Sequence, residues 1–452
     1  MSNSKYRISK ITIENIKNTE YGEIEFPDYD FNLERKAGVL GLYGANGSGK
    51  TAVIYTLSIL KSLMSGHSLP SETYDYITKD KKQANLKFEF DFETKDIKSY
   101  ISYEFKIIKS DDKSFTINDE KIMYKREEDS RPLVLIDTSS QSIDDTLFSP
   151  KMKYDYVKRD KELLLNLMVS NKMAKEKNQS FIFRQETLKL LENKWERFIE
   201  HHILKLLSNY ARFNMLVVLD KKYDYLPFFF RMAHEERKTV ESGEFGILFG
   251  QNELSDETYR IYEKLIPQLS LVLSEIVPGV ELTIKNYGKV TMRDGSIGNR
   301  IELMSKKETL EIPIKYESEG IKKIISILSA LTAMFNNEGV LVAIDELDSG
   351  VFEYLLGSLV EVINDTGSGQ LIFTSHNLHP LELLGSENII FTTVNPKNRY
   401  IKFSNVRESN NLRSFYLREV ALRATGQKEV VYDDIKKHKI SRAFRKAKNY
   451  KV

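Results

Sequence analysis

The residues best suited to chemistry lie in the stretch "GANGSGKT", residues 44–51. It fits the pattern G-x-x-x-x-G-K-[ST], in which glycines let the backbone curl so that several N–H groups point at phosphate oxygens. Lys50 is expected to reach the β- and γ-phosphates of a nucleotide, and the Thr51 hydroxyl is expected to ligate Mg²⁺. The predicted nucleotide-binding residues of this loop are Gly44, Ala45, Asn46, Gly47, Ser48, Gly49, Lys50 and Thr51.

A second stretch, "VLVAIDELDSG" at residues 340–350, is typical of a buried strand that ends in acidic residues. Asp345, at the strand tip, is suited to hold Mg²⁺ through water. Glu346 follows it directly and is suited to orient and deprotonate an attacking water molecule. Together these functions predict metal-assisted hydrolysis.

A third apolar stretch, "LIFTSHN" at residues 371–377, places His376 at the carboxyl end of another predicted strand. In an open α/β sheet, ligands bind beyond the carboxyl ends of the strands. We therefore expect Lys50, the acidic pair and His376 to meet at one site. There a neutral imidazole can contact the γ-phosphate or the attacking water. The alternative is a surface histidine without such a role.

The spacing of the motifs indicates which class of nucleotide-binding protein the chain fits. Lys50 and Asp345 are 295 positions apart, whereas AAA+ motors and small GTPases place the two elements much closer together. The sequence also contains no [NT]-K-x-D motif for guanine. What remains is the plan of ABC-type ATPases, in which a large insertion separates the two halves of the nucleotide fold.

That plan requires a signature sequence at a helix start shortly before the acidic strand, and "YESEGIKKIISILSAL" at residues 316–331 lies there. Ser318 offers an N-cap hydroxyl, Gly320 permits a close backbone approach, and the helix dipole favours an anion. In this architecture the signature covers a γ-phosphate bound by a second subunit. ATP is then sandwiched between the protomers of a two-fold dimer. Read alone, the stretch is an ordinary capped helix start.

The elements that position these motifs lie at both ends of the chain. Residues 8–26 alternate like half-buried strands, residues 38–43 form an apolar run, and residues 51–64 have helical spacing. Alternating segments between residues 88 and 117 suggest an antiparallel meander, and residues 154–216 are helical in pattern.

We therefore predict an α/β fold of the ABC-type P-loop ATPase head. It contains a mixed sheet with antiparallel N-terminal strands and a large α+β insertion between the phosphate loop and the signature. Residues 1–85 are predicted to form the N-terminal half of the head, residues 86–310 the inserted lobe, and residues 311–452 the C-terminal half with a basic tail.

Composition limits the remaining classes. The 452 residues are 41% hydrophobic, and 67 basic residues nearly balance 65 acidic ones, so net charge gives no argument for nucleic acid. The sequence contains no cysteine, which excludes disulfides and cysteine-ligated metals. No apolar run approaches the roughly 18 residues of a membrane span, and residues 1–10 lack a signal-peptide core. We expect a cytoplasmic protein that is not embedded in a membrane.

With these motifs, the chain resembles the ABC-type ATPases of the SMC, RecF and OLD grouping. The resemblance rests on "ITIENIKN", "GANGSGKT", "SEGIKK", "AIDELDSG" and "FTSHN", which cover both ends of the chain. It is strongest to stand-alone ATPases of prokaryotic abortive-infection and other anti-phage systems, which resemble OLD proteins without their nuclease domain. Such proteins work with a separately encoded effector, often a nuclease.

The resemblance implies a role for each motif. Lys50 and Thr51 bind phosphate and Mg²⁺, Asp345 holds the metal, Glu346 is the catalytic base and His376 is the switch histidine. Ser318 and Gly320 then act in trans, and Asp348 falls in a segment that lines the dimer interface.

Two departures from the family pattern stand out. Glu319 replaces the first glycine of the usual Leu-Ser-Gly-Gly-Gln signature, and a carboxylate near a γ-phosphate would repel it unless it points away. The glutamine that couples the inserted lobe to Mg²⁺ has two candidates, Gln141 and Gln185, and the sequence does not choose between them.

The sequence also suggests binding partners. The C-terminal tail, residues 436–452, is basic and contains Phe444 and Tyr450, so it can grip nucleic-acid phosphates or serve as a solvated helix or partner contact. The preferred hypothesis is a dimeric or larger ATP-driven sensor and scaffold that controls an effector in anti-phage defence. The alternatives are a RecF- or SMC-like DNA-repair ATPase and a non-hydrolysing, ATP-gated assembly module.

Overall fold

The computed structural model describes residues 4–27, 37–94, 97–139, 146–195, 199–219, 225–234, 239–403, 412–422 and 440–444. Within these ranges the chain forms two large sheets with a buried helix between them, and a smaller antiparallel sheet. The predicted α/β class is confirmed, with both antiparallel and parallel pairing present.

The first large sheet is antiparallel throughout. Its strands, in spatial order, are β2 (Thr19–Glu25), β1 (Ser4–Ile16), β4 (Gln83–Thr94), β5 (Ile97–Lys109), β6 (Phe115–Arg126) and β7 (Leu133–Asp137). Ile11, Phe88 and Tyr103 are cross-strand neighbours in one buried row. This alternation of buried positions is the period-2 pattern that predicted the N-terminal strands and the meander.

The second large sheet carries the predicted motifs. Its strands, in spatial order, are β18 (Tyr400–Ile401), β17 (Ile389–Thr392), β3 (Gly38–Tyr43), β16 (Gln370–Thr374), β15 (Leu341–Ile344) and β8 (Met215–Val218). All neighbours pair in parallel except β17 and β18. The carboxyl ends of β3, β16 and β15 therefore lie side by side at one edge, as predicted.

The remaining strands in the described ranges form a smaller antiparallel sheet and a separate hairpin. The sheet contains β11 (Gln251–Ser255), β13 (Ile297–Lys307), β12 (Glu281–Thr291) and, paired with β13, β14 (Leu310–Pro313). The hairpin contains β9 (Tyr225–His234) and β10 (Thr239–Leu248).

The helices fill the space between and around the sheets. They are α1 (Lys50–Met64), α2 (Thr73–Tyr76), α3 (Lys151–Lys158), α4 (Lys161–Glu176), α5 (Gln185–Trp195), α6 (Ile199–Phe213), α7 (Asp256–Ile276), α8 (Glu319–Phe335), α9 (Glu353–Thr366), α10 (Pro380–Leu383) and α11 (Leu412–Leu422). Short 3-10 turns occupy Ile314–Tyr316 and Ser386–Asn388. Within the described ranges, every helix is too short or too polar to span a bilayer.

Helix α1 is the central element of the fold. It contacts β1 of the antiparallel sheet on one side and β15 and β16 of the parallel sheet on the other. Leu57, Leu60 and Leu63 of this helix are fully buried, and each such side chain contributes about 1.5–3 kcal/mol of hydrophobic stabilisation. The opposite face of the parallel sheet packs on α8 and α9.

A side-chain amide joins the two large sheets. Gln370, at the start of β16, accepts from the Ile8 N–H at 2.9 Å and donates to the Ile8 carbonyl at 2.8 Å. The side chain therefore replaces a strand neighbour for β1 at a position where its register with β4 shifts. This bond fixes the antiparallel sheet against the strand that leads to His376.

The predicted boundaries do not coincide with the edges of the sheets. The boundary between residues 85 and 86 lies inside β4, which pairs with β1, and the boundary between residues 310 and 311 lies inside β14. Strand β8, from the predicted inserted lobe, pairs with β15 of the parallel sheet. The division into residues 1–85, 86–310 and 311–452 stays a proposal.

Candidate active site

The phosphate loop, residues 44–51, joins β3 to α1, and its glycines adopt conformations that other residues disfavour. The φ angle is +73° at Gly47 and +98° at Gly49, in the left-handed region that glycine enters without strain. Helix α1 begins directly afterwards, at Lys50. Its first N–H groups have no partner within the helix and therefore suit an anion such as a phosphate.

Lys50 lies across this loop. Its ammonium group donates to the carbonyl oxygens of Gly44 at 2.8 Å and Ala45 at 3.0 Å. Burial lowers the pKa of Lys50 below its ordinary value, and nearby carboxylates, Asp345 foremost, oppose that shift. The predicted cation and the predicted acidic strand end are therefore electrostatic neighbours.

Two residues late in the chain, which the sequence alone did not predict, hold the loop. The Thr392 hydroxyl, at the end of β17, donates to the Tyr43 carbonyl at 3.1 Å and also bonds the Ser48 hydroxyl. The Tyr400 hydroxyl, in β18, donates to the Gly49 carbonyl at 2.9 Å. These partners are 344 to 351 positions apart, so no local pattern could have revealed them.

Buried Arg399 ties the same hairpin to the turn between β1 and β2. Its guanidinium donates to the carbonyl of Thr393 at 2.5 Å and to that of Asn18. A Cβ atom added at Gly49 would lie 3.1 Å from the methylene carbons of Arg399. A Cβ atom there would also lie 2.9 Å from Thr19 Oγ1, so the N-terminal turn and the C-terminal hairpin both lie against Gly49.

The acidic end of β15 meets the phosphate loop as predicted. Thr51 Oγ1 donates to Asp345 Oδ1 at 3.2 Å, and the hydroxyl of Thr374 donates to the same oxygen at 2.7 Å. Asp345 is buried, with 4% of its surface exposed. A carboxylate this close to the predicted Mg²⁺ ligand Thr51 is in the right place to hold the same ion.

Glu346 occupies an unusual backbone conformation. Its φ angle is +48°, in the left-handed region that non-glycine residues rarely adopt. Its N–H donates to the Thr374 hydroxyl at 2.7 Å, which holds this conformation. Such held backbone strain is concentrated at functional sites, where the surrounding structure over-determines it.

His376 follows β16, at the same edge of the sheet. Its N–H donates to Asp348 Oδ2 at 2.9 Å, and the N–H of Asn377 donates to the same oxygen at 3.0 Å. Burial, and next the positive charge of Lys50, lower the pKa of His376 below its ordinary value. The neutral imidazole is therefore favoured, and Asp348 has a role within its own chain in fixing the backbone of the histidine turn.

The start of α8 has the capped geometry that was predicted. The Ser318 hydroxyl accepts from the Ile321 N–H at 3.3 Å. Gly320 does make a close approach, but to its own chain: a Cβ atom there would lie 2.1 Å from the Gly350 carbonyl oxygen. Packing against Gly350 of the same chain is therefore one reason for glycine at 320, and the predicted approach to a partner's phosphate stays a prediction.

Two lysines of α8 act on the acidic groups around it. Glu319 is 87% exposed and forms an ion pair with Lys322, one turn further along the helix. This ion pair offsets part of the negative charge of Glu319, the residue that departs from the usual signature. Lys323 donates to the Asp345 carbonyl at 3.1 Å, so the signature helix is bonded directly to the acidic strand end.

The structure describes only one of the two candidates for the coupling glutamine. Gln141 lies outside the described residues. The Gln185 amide lies 3.3 Å from the Cβ position of Gly66, just beyond the last residue of α1. Because α1 has 15 residues and a helix rises about 1.5 Å per residue, Gln185 is remote from the phosphate loop.

The donor set fits a nucleotide with Mg²⁺. The Thr51 hydroxyl and the Asp345 carboxylate are oxygen ligands, and Mg²⁺ in phosphate sites uses one or two such side chains together with substrate phosphates. The glycines let the loop backbone curl so that N–H groups can face an anion, and Lys50 supplies a positive charge. Across the described residues, no group of three or more His, Cys, Asp or Glu side chains is placed to bind a metal.

Comparison with solved structures finds SMC head domains. The Smc head domain of Pyrococcus furiosus with an extended coiled coil, bound to the C-terminal domain of ScpA, is 14% identical with a TM-score of 0.40, over 93% of this chain and 100% of that chain. The SMC head domain of Thermotoga maritima is 13% identical with a TM-score of 0.37, over 88% of this chain and 100% of that chain. No curated protein gives a significant match to the sequence.

A family profile matches residues 39–382, which is well over half of the chain. The family is described as "AAA domain, putative AbiEii toxin, Type IV TA system". The matched range includes the phosphate loop, the start of α8, the acidic strand end and His376. The protein therefore belongs to this AAA-domain family and is an AAA-family ATPase by type.

Proposed function

We propose that the protein binds ATP together with Mg²⁺ at the edge of the parallel sheet and hydrolyses it there. The observation that supports this most strongly is the hydrogen bond between Thr51 and Asp345, which joins two motifs 294 positions apart at 3.2 Å. Lys50 lies beside the same carboxylate. Fold packing alone does not require a lysine, a hydroxyl and a carboxylate to converge beyond the ends of parallel strands.

In this proposal each side chain has one task. Thr51 and Asp345 hold Mg²⁺, which, when bound, neutralises charge on the phosphate oxygens. The loop N–H groups and Lys50 bind the phosphates themselves. These residues position the substrate and its charge, which is most of what phosphoryl transfer requires of a protein.

Glu346 is the proposed base. It orients a water molecule and accepts its proton while the water oxygen bonds to the γ-phosphorus and the bond to the β–γ bridging oxygen breaks. The products are ADP and inorganic phosphate. His376, in its neutral form, donates a hydrogen bond to the γ-phosphate or to the attacking water.

The second element of the proposal is a dimer in which Ser318 and Gly320 of one protomer face the nucleotide of the other. The capped start of α8 supplies N–H groups and a positive dipole end, both suited to a γ-phosphate. Lys323 bonds this helix to Asp345 of its own protomer. Hydrolysis or release of the nucleotide beside Asp345 of one protomer would therefore move the start of α8 that the same protomer presents to its partner's nucleotide.

The third element is the biological role, a cytoplasmic sensor and scaffold that controls a separate effector in anti-phage defence. Its support is the family, whose description names a putative toxin of a type IV toxin–antitoxin system, and the resemblance of the motifs to abortive-infection ATPases. Of the predicted nucleic-acid contact in the tail, residues 436–439 and 445–452 lie outside the described residues.

Phosphate release from ATP tests the enzymatic part. The wild-type protein should release phosphate only with Mg²⁺, and Glu346→Gln should lower kcat by about 10²–10⁴-fold, the range for removing a general base. Nucleotide binding should remain in Glu346→Gln and be lost in Lys50→Ala. Equal rates for wild type and Glu346→Gln would contradict the proposed base.

Mixing two inactive variants tests the dimer. Lys50→Ala lacks the loop cation and Ser318→Arg blocks the start of α8, so each alone should be inactive if the site is shared. A mixed dimer contains one intact site, made from the loop of the second variant and the α8 start of the first. Recovered phosphate release on mixing supports the shared site, and a mixture as inactive as its components counts against it.

A further inference from the structure

Thr374 is the last residue of β16, the strand that lies between β3 and β15. It is almost fully buried, with 1% of its surface exposed. It lies within the motif "LIFTSHN", but none of the tasks assigned above belongs to it. Its position is nevertheless central, because the phosphate loop follows one neighbouring strand and the acidic pair follows the other.

The hydroxyl of Thr374 bonds both acidic residues at once. It donates to Asp345 Oδ1 at 2.7 Å and accepts from the Glu346 N–H at 2.7 Å. Its carbonyl oxygen accepts from the Leu347 N–H at 3.0 Å. One threonine therefore contacts three consecutive residues of the acidic turn.

A hydroxyl has one proton, which makes this arrangement directional. Because the proton of Thr374 is given to Asp345, its lone pairs remain free to accept from Glu346. The first bond fixes the rotation of the carboxylate that meets Thr51, and the second holds the left-handed backbone of Glu346. A change in either bond would move a proposed metal ligand or a proposed base.

We infer that Thr374 is a positioning residue for the hydrolysis proposed above, setting the Asp345 carboxylate and the Glu346 backbone in one fixed relation. The inference rests on the proposed function. Thr374 touches neither substrate nor water in this role. It acts through Asp345 on Mg²⁺ binding and through Glu346 on the step that transfers the proton.

The competing interpretation is that Thr374 is a buried threonine whose hydroxyl is satisfied by whatever lies near. That interpretation predicts a loss of stability on removing the hydroxyl, with the kcat of the folded protein unchanged. A positioning role predicts a lower kcat, a higher Mg²⁺ requirement and an altered Glu346 backbone, with the KM for ATP nearly unchanged. These readouts separate the two.

The test compares Thr374→Val, which keeps the shape and removes the hydroxyl, with Thr374→Ser, which keeps the hydroxyl. Thr187→Val is the matched control, because Thr187 is also fully buried and its hydroxyl bonds Ser170, a residue of the helical region, at 2.8 Å. For each protein we would measure kcat, KM for ATP, the Mg²⁺ concentration for half activation, and Tm.

Thr374→Val should lower kcat about 10- to 100-fold and raise the required Mg²⁺, as loss of a group that orients a metal ligand does. Thr374→Ser and Thr187→Val should remain within about threefold of wild type, a difference too small for a lost positioning contact. Wild-type kcat and Mg²⁺ dependence in Thr374→Val would overturn the inference, as would an equal loss in Thr187→Val. If Thr374→Val does not fold, Thr374→Ala is measured in its place.

Hydrogen exchange of the Glu346 amide, without nucleotide, provides a readout independent of activity. The amide should be protected in wild type and Thr374→Ser and should exchange at least about tenfold faster in Thr374→Val, because its acceptor is gone. Unchanged protection would overturn the inference. An inactive wild-type protein would refute the proposed function instead, and this exchange comparison would still report on Thr374.

Discussion

Two buried carboxylates, Asp345 and Glu120, lie in different regions of the molecule. Both accept hydrogen bonds from hydroxyl groups, but they differ in how many of their oxygens are bonded. Asp345 of the parallel sheet is 4% exposed and accepts from the hydroxyls of Thr51 and Thr374. Glu120 of the antiparallel sheet is 2% exposed and accepts from two hydroxyls as well. The difference lies in the second oxygen of each carboxylate.

Glu120 is satisfied at both oxygens. Its Oε1 accepts from the hydroxyls of Tyr103, at 2.7 Å, and Ser180, and its Oε2 accepts from the Phe181 N–H at 2.8 Å. It therefore ties strands β5 and β6 to the segment between α4 and α5. A buried acid whose oxygens are all bonded by its own chain has a structural role, and we call Glu120 with its three donors the Glu120 joint.

Asp345 is satisfied at one oxygen only. Both hydroxyls bond Oδ1, and among the residues that the structure describes none donates to Oδ2. The group also stands beside Lys50 and at the ends of parallel strands, where ligands bind. The comparison shows that burial and hydroxyl donors do not identify a reactive carboxylate, whereas acceptor capacity left beside a phosphate loop does.

The largest effect should come from removing the charge at Asp345. Asp345→Asn should lower kcat on the order of 10²-fold or more, about 2.7 kcal/mol of transition-state stabilisation, because a neutral amide holds Mg²⁺ poorly. Thermal unfolding should change little. The matched control is Asp365→Asn at the exposed end of α9, which should behave as wild type. Equal kcat in both variants would contradict a special role for Asp345.

The reverse pattern is expected at Glu120. Glu120→Ala leaves three buried donors without an acceptor and should destabilise the fold by about 3 kcal/mol or more. The activity of the molecules that remain folded should be unchanged. Urea unfolding beside the exposed control Glu127→Ala measures the first quantity; a selective loss of kcat in stable Glu120→Ala would mean that Glu120 also serves the active site.

A smaller loss should follow from removing one donor of the same joint. Tyr103→Phe keeps the buried ring and deletes the hydroxyl that bonds Glu120. Because the Ser180 and Phe181 bonds remain, we expect a loss of about 1 kcal/mol in unfolding free energy. Phosphate release should not change. A loss as large as that of Glu120→Ala would show that the tyrosine hydroxyl alone holds the joint.

The smallest effect concerns pH. Burial raises the pKa of Glu120 above its ordinary value of 4.5. For an acid whose pKa is raised on folding, the contribution to stability is full below the unfolded pKa and is lost as pH rises through the folded pKa, by at most about 1.4 kcal/mol per pH unit. The unfolding free energy of wild type should therefore fall relative to Glu120→Gln as pH rises above 4.5. A difference that moves the other way would contradict the assigned direction.

The local parts of the site could be predicted from the sequence. The phosphate loop, the acidic strand end and the Ser318 cap each depend on neighbouring residues, so their patterns are visible in a short window. The parallel strands beneath them were recognisable as apolar runs, and their common edge followed from the fold class.

Other parts could not be predicted, because they depend on pairs that are far apart in sequence. Tyr400 supports Gly49 across 351 positions, and Ser180 meets Glu120 across 60. The joining of β4 to β1, which places the boundary between residues 85 and 86 inside a sheet, is of the same kind. The close approach of Gly320 to Gly350 is also of this kind, since nothing near Gly320 in sequence indicates it.

An experimental structure of Glu346→Gln with ATP and Mg²⁺ tests the central claim most directly. We predict that the triphosphate lies in the loop of residues 44–51, with the metal between Thr51 and Asp345, and that Ser318 of a second copy of the chain faces the γ-phosphate. A triphosphate bound elsewhere, or a metal remote from Asp345, would contradict the account.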